Sequence, residues 1–478
     1  MVFSSAIFLA AFLTLTFILY YLPIGMKYKN SVLVLTSLVF YAFGEPVYVF
    51  LMLGSVFANY LFGRGIAETS FKKPLLVFSV IFNVLLLGVF KYAGFFVRSI
   101  NSLAGTDLPV PDIALPIGIS FFTFQAMSYV IDVYRDNTQV QKNFARLLLY
   151  ISFFPQLIAG PIVRYHDIDK QLTERKHSPE KIVAGMQRFI KGLAKKMIIA
   201  NTMAVIADRI YALDVSGINA AAAWMGAIAY VFQIYFDFSG YSDMAIGLAR
   251  MFGFEFLENF DHPYSALSVK EFWRRWHISL STWFREYVYI PLGGNRKGRL
   301  RTEINKIIVF FLTGFWHGAN YTFIVWGLFH GIFLILEDSI LPMNRLNTRM
   351  DRKSPKEPPF ITAFLLNIYT MIEVIVGFVF FRADDMKQAA AMIKAMFTGF
   401  YHSPSSLSLV AEQASPFNIF ILILAFIFSY PVNNMIKKKA AGSETYAYIK
   451  AAGSLVLLFI CIMELAGMAY NPFIYFRF

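Results

Sequence analysis

The chain has 478 residues, of which 57% are hydrophobic and only 15% charged, with 52 phenylalanines and a mean hydropathy of +0.55. A soluble globular chain is nearer a quarter charged, so these values exclude an ordinary soluble domain, and the single cysteine, Cys461, excludes disulfides and cysteine-based metal or redox sites. The formal charge of +13 does not point to nucleic acid, because the lysines and arginines gather in short loops between apolar segments, as the positive-inside rule describes.

Apolar stretches recur from end to end, so the whole of residues 1–478 reads as one integral-membrane domain. It is expected to be all-α, because a helix satisfies its own backbone in hydrocarbon and no alternating barrel pattern occurs. Residues 6–24 lack a basic leader and a small-residue cleavage site and read as a retained span. With basic loops placed inside, this span runs inward to Lys27 and Lys29. Residues 31–43 and 47–63 form a pair around Gly44-Glu45-Pro46, 74–97 exit, and 113–134 re-enter after a proline-containing outer loop.

Residues 151–163 resemble another crossing, yet residues 164–196 carry nine Lys or Arg against four Asp or Glu. A crossing would place that basic stretch outside. Pro155, Gly160 and Pro161 interrupt the segment, which predicts a re-entrant dip into the protein interior. Spans over 197–212 and 220–240 follow. Residues 270–294 must then enter and return, because the basic NRKGRLRTEINK after them also belongs inside. Helical spacing puts Trp273, Trp276, His277, Leu280, Phe284 and Tyr287 on one face, predicting an amphipathic helix at the cytoplasmic surface.

From Ile307 the chain leaves one basic loop and reaches another at Arg345, Arg349, Arg352 and Lys353. A single helix over 307–340 would be about 50 Å long, too long for the bilayer. A break at Gly318-Ala319-Asn320 is expected, with His317 about 15 Å along the helix, near mid-membrane. Spans over 359–381, 417–433 and 451–468 complete twelve crossings and two dips, with both termini extracytoplasmic.

A charged group at membrane depth costs at least about 2.5 kcal/mol, whereas histidine can be buried neutral and still exchange a proton near pH 7. His317 therefore has two readings, a general base or a neutral histidine bonded to a neighbouring helix. His330, in the second of two similar words, GFWHG and GLFHG, would lie about 20 Å and some 220° away on a continuous helix. It reads as a packing residue whose glycines permit close helix approach, and His277 alone also reads as packing. Asp237 is expected to lie deepest among the acids. His166, His177, His262 and His402 occur in polar segments and read as solvated. Zincin, G-x-S-x-G and Walker patterns do not occur, so no metal role is assigned.

QIYFDFSGYSDMAIGLARMFGF, EFWRRWHISLSTWFREYVYIPLGGNRKG and GFWHGANYTFIVWGLFHG resemble, in this order, the membrane-bound O-acyltransferase superfamily. PIGISFFTFQAMSYVIDVYR, FFPQLIAGPIVRY and FVFFRAD extend the likeness to alginate O-acetyltransferase integral-membrane subunits over most of the chain. The resemblance implies a multi-helix fold around a central funnel, and acyl transfer from a cytoplasmic thioester toward an acceptor outside. The family's invariant histidine matches His317 and its second histidine matches His277, which makes both catalytic candidates. His330 matches neither.

The donor implied is acetyl-CoA, a substrate and not a bound cofactor. His317 would act as general base on the acceptor hydroxyl. Asn320, Trp316 or backbone N–H groups at Gly318 would position substrate or steady an oxyanion. Arg274, Arg275, Arg296 and Lys297 would attract the donor phosphates. The acceptor expected is an extracytoplasmic, esterase-like partner that passes acetyl to a polysaccharide, with the chain in a bacterial inner membrane. Two rivals stand beside this reading: D-alanyl transfer to teichoic acid from a carrier-protein thioester, and secondary transport, which also uses broken helices and mid-membrane polar residues.

Overall fold

The computed structural model describes residues 1–339, 358–432 and 443–467. Among these residues helices follow one another throughout and no strand occurs. The basic residues Arg345, Arg349, Arg352, Lys353 and Lys437 to Lys439, used above to set the topology, lie outside the described residues. The chain divides into two compact units: Met1–Leu193 with Tyr241–Glu258 and residues from Ile462 onward, and Ala194–Gly240 with Asn259–Cys461.

The first unit contains α1 (Phe8–Tyr20), α2 (Met26–Gly44), α3 (Tyr48–Glu68), α4 (Lys72–Ala104), α5 (Ile119–Tyr134), α6 (Phe144–Ser152) and α7 (Pro179–Ala194). Its centre is α5, whose polar Ser120, Thr123, Gln125, Ser128 and Asp132 are buried together with its aromatic residues. Helices α3 and α4 are joined by an amide pair, Asn59 Nδ2 donating to Asn83 Oδ1 at 3.2 Å and Asn83 Nδ2 to Asn59 Oδ1 at 2.8 Å, the kind of polar bond that ties helices in lipid.

No helix runs through 151–163. Helix α6 stops at Ser152, one turn forms at Phe154–Leu157, and the chain continues without helix through Val163, buried throughout. Irregular backbone at membrane depth is tolerated only inside protein, and this segment meets that condition. Gly118 shows how tightly it is held: at φ +78, a Cβ there would lie 2.6 Å from the Leu157 carbonyl oxygen.

The second unit contains α8 (Asn201–Tyr211), the first part of α9 (Ala220–Met251), α10 (Val269–Arg275), α11 (Ile278–Phe284), α12 (Arg299–His317), α13 (Tyr321–Ser339), α14 (Phe360–Arg382), α15 (Met386–Thr398), α16 (Pro404–Gln413), α17 (Pro416–Ser429) and most of α18 (Glu444–Gly467). Asp237 in α9 is buried, as its apolar surroundings suggested, and is paired with Lys196 at 2.6 Å.

Six helices among the described residues are long and apolar enough to cross a membrane, or seven if α16 and α17, bent by 73°, make one span. The twelve crossings drawn from charge and hydropathy are more than this. Several expected spans are short or polar: 113–134 becomes the 16-residue α5 and 197–212 the 11-residue α8. A helix wrapped by protein, as α5 is, needs neither the length nor the continuous apolar surface of one in lipid.

The single amphipathic helix expected over 270–294 is not formed. The helix breaks at Trp276–His277 into α10 and α11, and α11 runs on into a π turn at Arg285–Tyr289.

Candidate active site

The site is built on the α12–α13 hairpin, which breaks where glycine was expected to break it. Gly318 is extended, at φ −166 and ψ 154, and the helix stops at His317. The first glycines of the two similar words lie against each other. A Cβ on Gly314 would fall 2.2 Å from the Phe323 carbonyl oxygen and 3.2 Å from Gly327 Cα; one on Gly327 would fall 2.2 Å from the Phe310 carbonyl oxygen. Only glycine at both positions lets the two helix backbones approach so closely.

His317 ends α12 and is 3% exposed. Its ring meets Trp316, Trp326 and Phe381 edge to face, with centroids 4.9, 5.1 and 5.1 Å away. His277 completes the surroundings at 6.2 Å. The structure thus brings together the two histidines, forty positions apart, that the family likeness selected.

His277 takes part through an unusual backbone. At φ 44 and ψ 53 it is left-handed, a conformation that costs a non-glycine residue about 1–2 kcal/mol and that gathers at functional sites. Three groups converge on Asn259 Oδ1: His277 Nδ1 at 3.2 Å, Ser279 N at 3.2 Å and Ser279 Oγ at 2.8 Å. The Ser279 backbone N–H can only donate, so the shared atom is an oxygen and His277 Nδ1 carries the ring proton. Its Nε2 is left as the acceptor. Buried and held through Nδ1, this imidazole can sit in its neutral form.

Helix α10 is fixed at its other end by α13. The Glu337 carboxylate accepts the backbone N–H groups of Val269 at 2.7 Å and Lys270 at 3.1 Å, while Ser268 caps Glu271 N at 3.1 Å. An acceptor carboxylate suits these otherwise unpaired donors and the positive end of the helix. One helix, α13, therefore carries Trp326 beside His317 and also holds the element that presents His277.

The other expected site residues separate by role. Trp316 touches both imidazoles, 4.9 Å from His317 and 6.2 Å from His277. Asn320 is committed to the break itself: its Oδ1 accepts Thr322 N–H at 3.2 Å and its Nδ2 donates to the Asp384 carbonyl at 2.9 Å. Arg275 is bound to Glu271 at 3.0 and 2.6 Å, which neutralises it, whereas Arg274, Arg296 and Lys297 are exposed.

His330 packs between helices, as its word suggested. It is fully buried, and its Nδ1 meets the Glu373 carboxylate of α14 at 2.7 Å. His166 and His177 are not simply solvated, since they bond to Asp132 at 2.7 Å and to the Tyr20 hydroxyl at 2.8 Å. Asn259, Trp326 and the bonds made by Glu337 and Glu373 went unread in the sequence. The one available signal was a carboxylate inside the apolar run of α14.

Residues 120–381, more than half of the chain, match the membrane-bound O-acyltransferase family. Over its full length the chain is 40% identical to the whole of a Pseudomonas putida protein named probable alginate O-acetylase AlgI. It is 34% identical, again over its full length, to 98% of a peptidoglycan O-acetyltransferase of Helicobacter pylori. A teichoic acid D-alanyltransferase of Streptococcus thermophilus is 30% identical over 51% of this chain and 61% of its own. The chain belongs to the membrane-bound O-acyltransferase family. It is a multi-pass membrane O-acyltransferase, and its full-length likeness to two differently named O-acetylating proteins supports acetyl as the transferred group.

Proposed function

We propose that the protein passes acetyl from a cytoplasmic thioester, acetyl-CoA, across a bacterial inner membrane to an extracytoplasmic partner protein, and through it to a cell-surface polysaccharide such as alginate. The observation that carries this reading is the buried His277–His317 pair, ring centroids 6.2 Å apart and walled by aromatic residues. In such a dry pocket a neutral imidazole is the one protein base that can be buried without charge and still take a proton near pH 7.

His317 takes the proton of the acceptor hydroxyl as its oxygen attacks the thioester carbonyl carbon. The C–S bond then breaks, and the thiolate recovers the proton from the imidazolium. While His317 holds that proton, the carbonyl end of α12 faces it with partial negative charge. His277, held by Asn259 with Nε2 as acceptor, orients a hydroxyl or the water that stands in for it. Acetyl-CoA is a substrate in this scheme and no bound cofactor takes part. Arg274, exposed in the last turn of α10, and Arg296 and Lys297, exposed before α12, supply positive charge toward its phosphates. Both chain termini lie on the extracytoplasmic side in this arrangement.

Similarity to a D-alanyltransferase over half of the chain makes the carrier-protein thioester of that chemistry the competing donor. Purified protein in detergent is offered acetyl-CoA and, separately, a D-alanyl carrier protein, and thiol release is measured. Release from acetyl-CoA alone supports the proposal; release from the carrier alone replaces it.

A further inference from the structure

Resting on that reading of the site, we infer that Trp326 is a catalytic residue: its indole N–H donates a hydrogen bond to the thioester carbonyl oxygen as that oxygen becomes negative.

Indole is a donor only, and a buried indole N–H usually finds an acceptor. Leaving such a group unsatisfied is costly. Trp326 is 1% exposed and its Nε1 has no hydrogen-bond partner among the described residues. A donor kept dry and without an acceptor, beside the proposed base, is poised for an acceptor that arrives with substrate.

The position fits. Trp326 meets His317 edge to face at 88°, centroid to centroid 5.1 Å. A hydroxyl about 2.6–3.2 Å from its base and an oxyanion about 2.7–3.1 Å from its donor are joined through one carbon in the tetrahedral intermediate. Base and donor on adjoining rings can reach the two ends of that unit.

The ring is also held still, which a preorganised donor requires. It also meets His330 at 5.3 Å, and His330 is fixed by Glu373 at 2.7 Å. Trp273 packs against it at 5.6 Å, and Phe381 at 4.9 Å. Trp273 too has a buried Nε1 without a partner among the described residues. Trp326 is the one of the two whose ring stands against His317.

The step balances with groups already named. The acceptor oxygen loses its proton to His317 and bonds to the carbonyl carbon, and the carbonyl π pair moves onto oxygen, where the Trp326 N–H meets it. The pair then returns as the C–S bond breaks, and the thiolate takes the proton from His317.

The test is acetyl-CoA cleavage by the purified full-length protein, with kcat and KM measured separately for the wild type, Trp326→Phe, Trp224→Phe and His317→Ala. Phenylalanine keeps an aromatic ring and removes the N–H. Loss of one oxyanion donor lowers kcat by about 10²- to 10³-fold, so Trp326→Phe is expected to lose that much in kcat, with KM for acetyl-CoA changed by less than about threefold. Trp224, whose N–H donates to the Met396 carbonyl at 2.9 Å, is the control and its variant keeps the wild-type kcat. An unchanged kcat in Trp326→Phe, or a change confined to KM, overturns the inference.

If Trp326→Phe does not fold, incorporation of benzothienylalanine at 326 decides, since sulfur replaces N–H in a ring of the same shape. The same kcat loss is then expected, and wild-type kcat overturns it. A wild-type protein that cleaves no acetyl-CoA, or a fully active His317→Ala, refutes instead the functional reading on which the inference rests.

Discussion

Gly314→Ala perturbs the site without touching any side chain in it. The new methyl would stand 2.2 Å from the Phe323 carbonyl oxygen, against about 3.3 Å for the closest comfortable C···O approach. The hairpin must therefore open by roughly 1 Å at that level. Backbone cannot swing aside as a flexible side chain does, so the loss of stability is expected at the upper end of about 1–3 kcal/mol for overpacking. The catalytic consequence is larger, because His317 is one turn further along α12 and Trp326 one turn along α13 from Phe323. A displacement near 1 Å costs on the order of 10²-fold in rate. The assay pairs thermal melting in detergent with acetyl-CoA cleavage, and Gly54→Ala, where nothing lies within 4 Å, is the comparator. A Gly314→Ala protein with wild-type melting and wild-type rate refutes the account of the two similar words as a contact between helices.

Three further outcomes follow from other parts of the molecule. Asp237→Ala leaves Lys196 buried without its carboxylate, 2.6 Å away in the native pair; a loss of about 3–5 kcal/mol is expected, and the double variant Lys196→Met with Asp237→Leu recovers most of it in chemical denaturation. Asn259→Ala removes the acceptor shared by His277 Nδ1, Ser279 N and Ser279 Oγ, so turnover falls at least tenfold while His277→Ala in the same background adds little. The hydrogen bond to Asp132 raises the His166 imidazole above its ordinary 6.5. The stabilisation it gives is complete below pH 6.5 and is lost as pH rises through the raised value. Melting temperature measured from pH 5 to 9 should fall over that window in the wild type and by less in His166→Gln.

Much of the frame was legible because bilayer physics constrains it so strongly. Composition gave an all-helical membrane protein, the length limit demanded a break after His317, and interruptions by proline and glycine marked 151–163 as irregular. The break at His277 was hidden, because Trp273, Trp276, Leu280 and Phe284 keep helical spacing straight through it. What stops the helix is tertiary: Asn259, eighteen positions before His277, holds Ile278 N through its carbonyl at 2.9 Å and His277 through its side chain. The partner of His330 was hidden for the same reason, Glu373 lying forty-three positions away on another helix. Hydropathy does not distinguish a helix wrapped by lipid from one, like α5, wrapped by protein, so the twelve expected crossings stand beside six or seven helices long and apolar enough to span among the described residues. The nearness of His277 to His317 followed from the family words and not from any periodicity.

The central claim is that His317 takes the acceptor proton, and the rate of thiol release from acetyl-CoA by purified His317→Ala tests it most directly. The account predicts a loss of about 10²- to 10⁴-fold in a protein that melts as the wild type does. Release at the wild-type rate would contradict it.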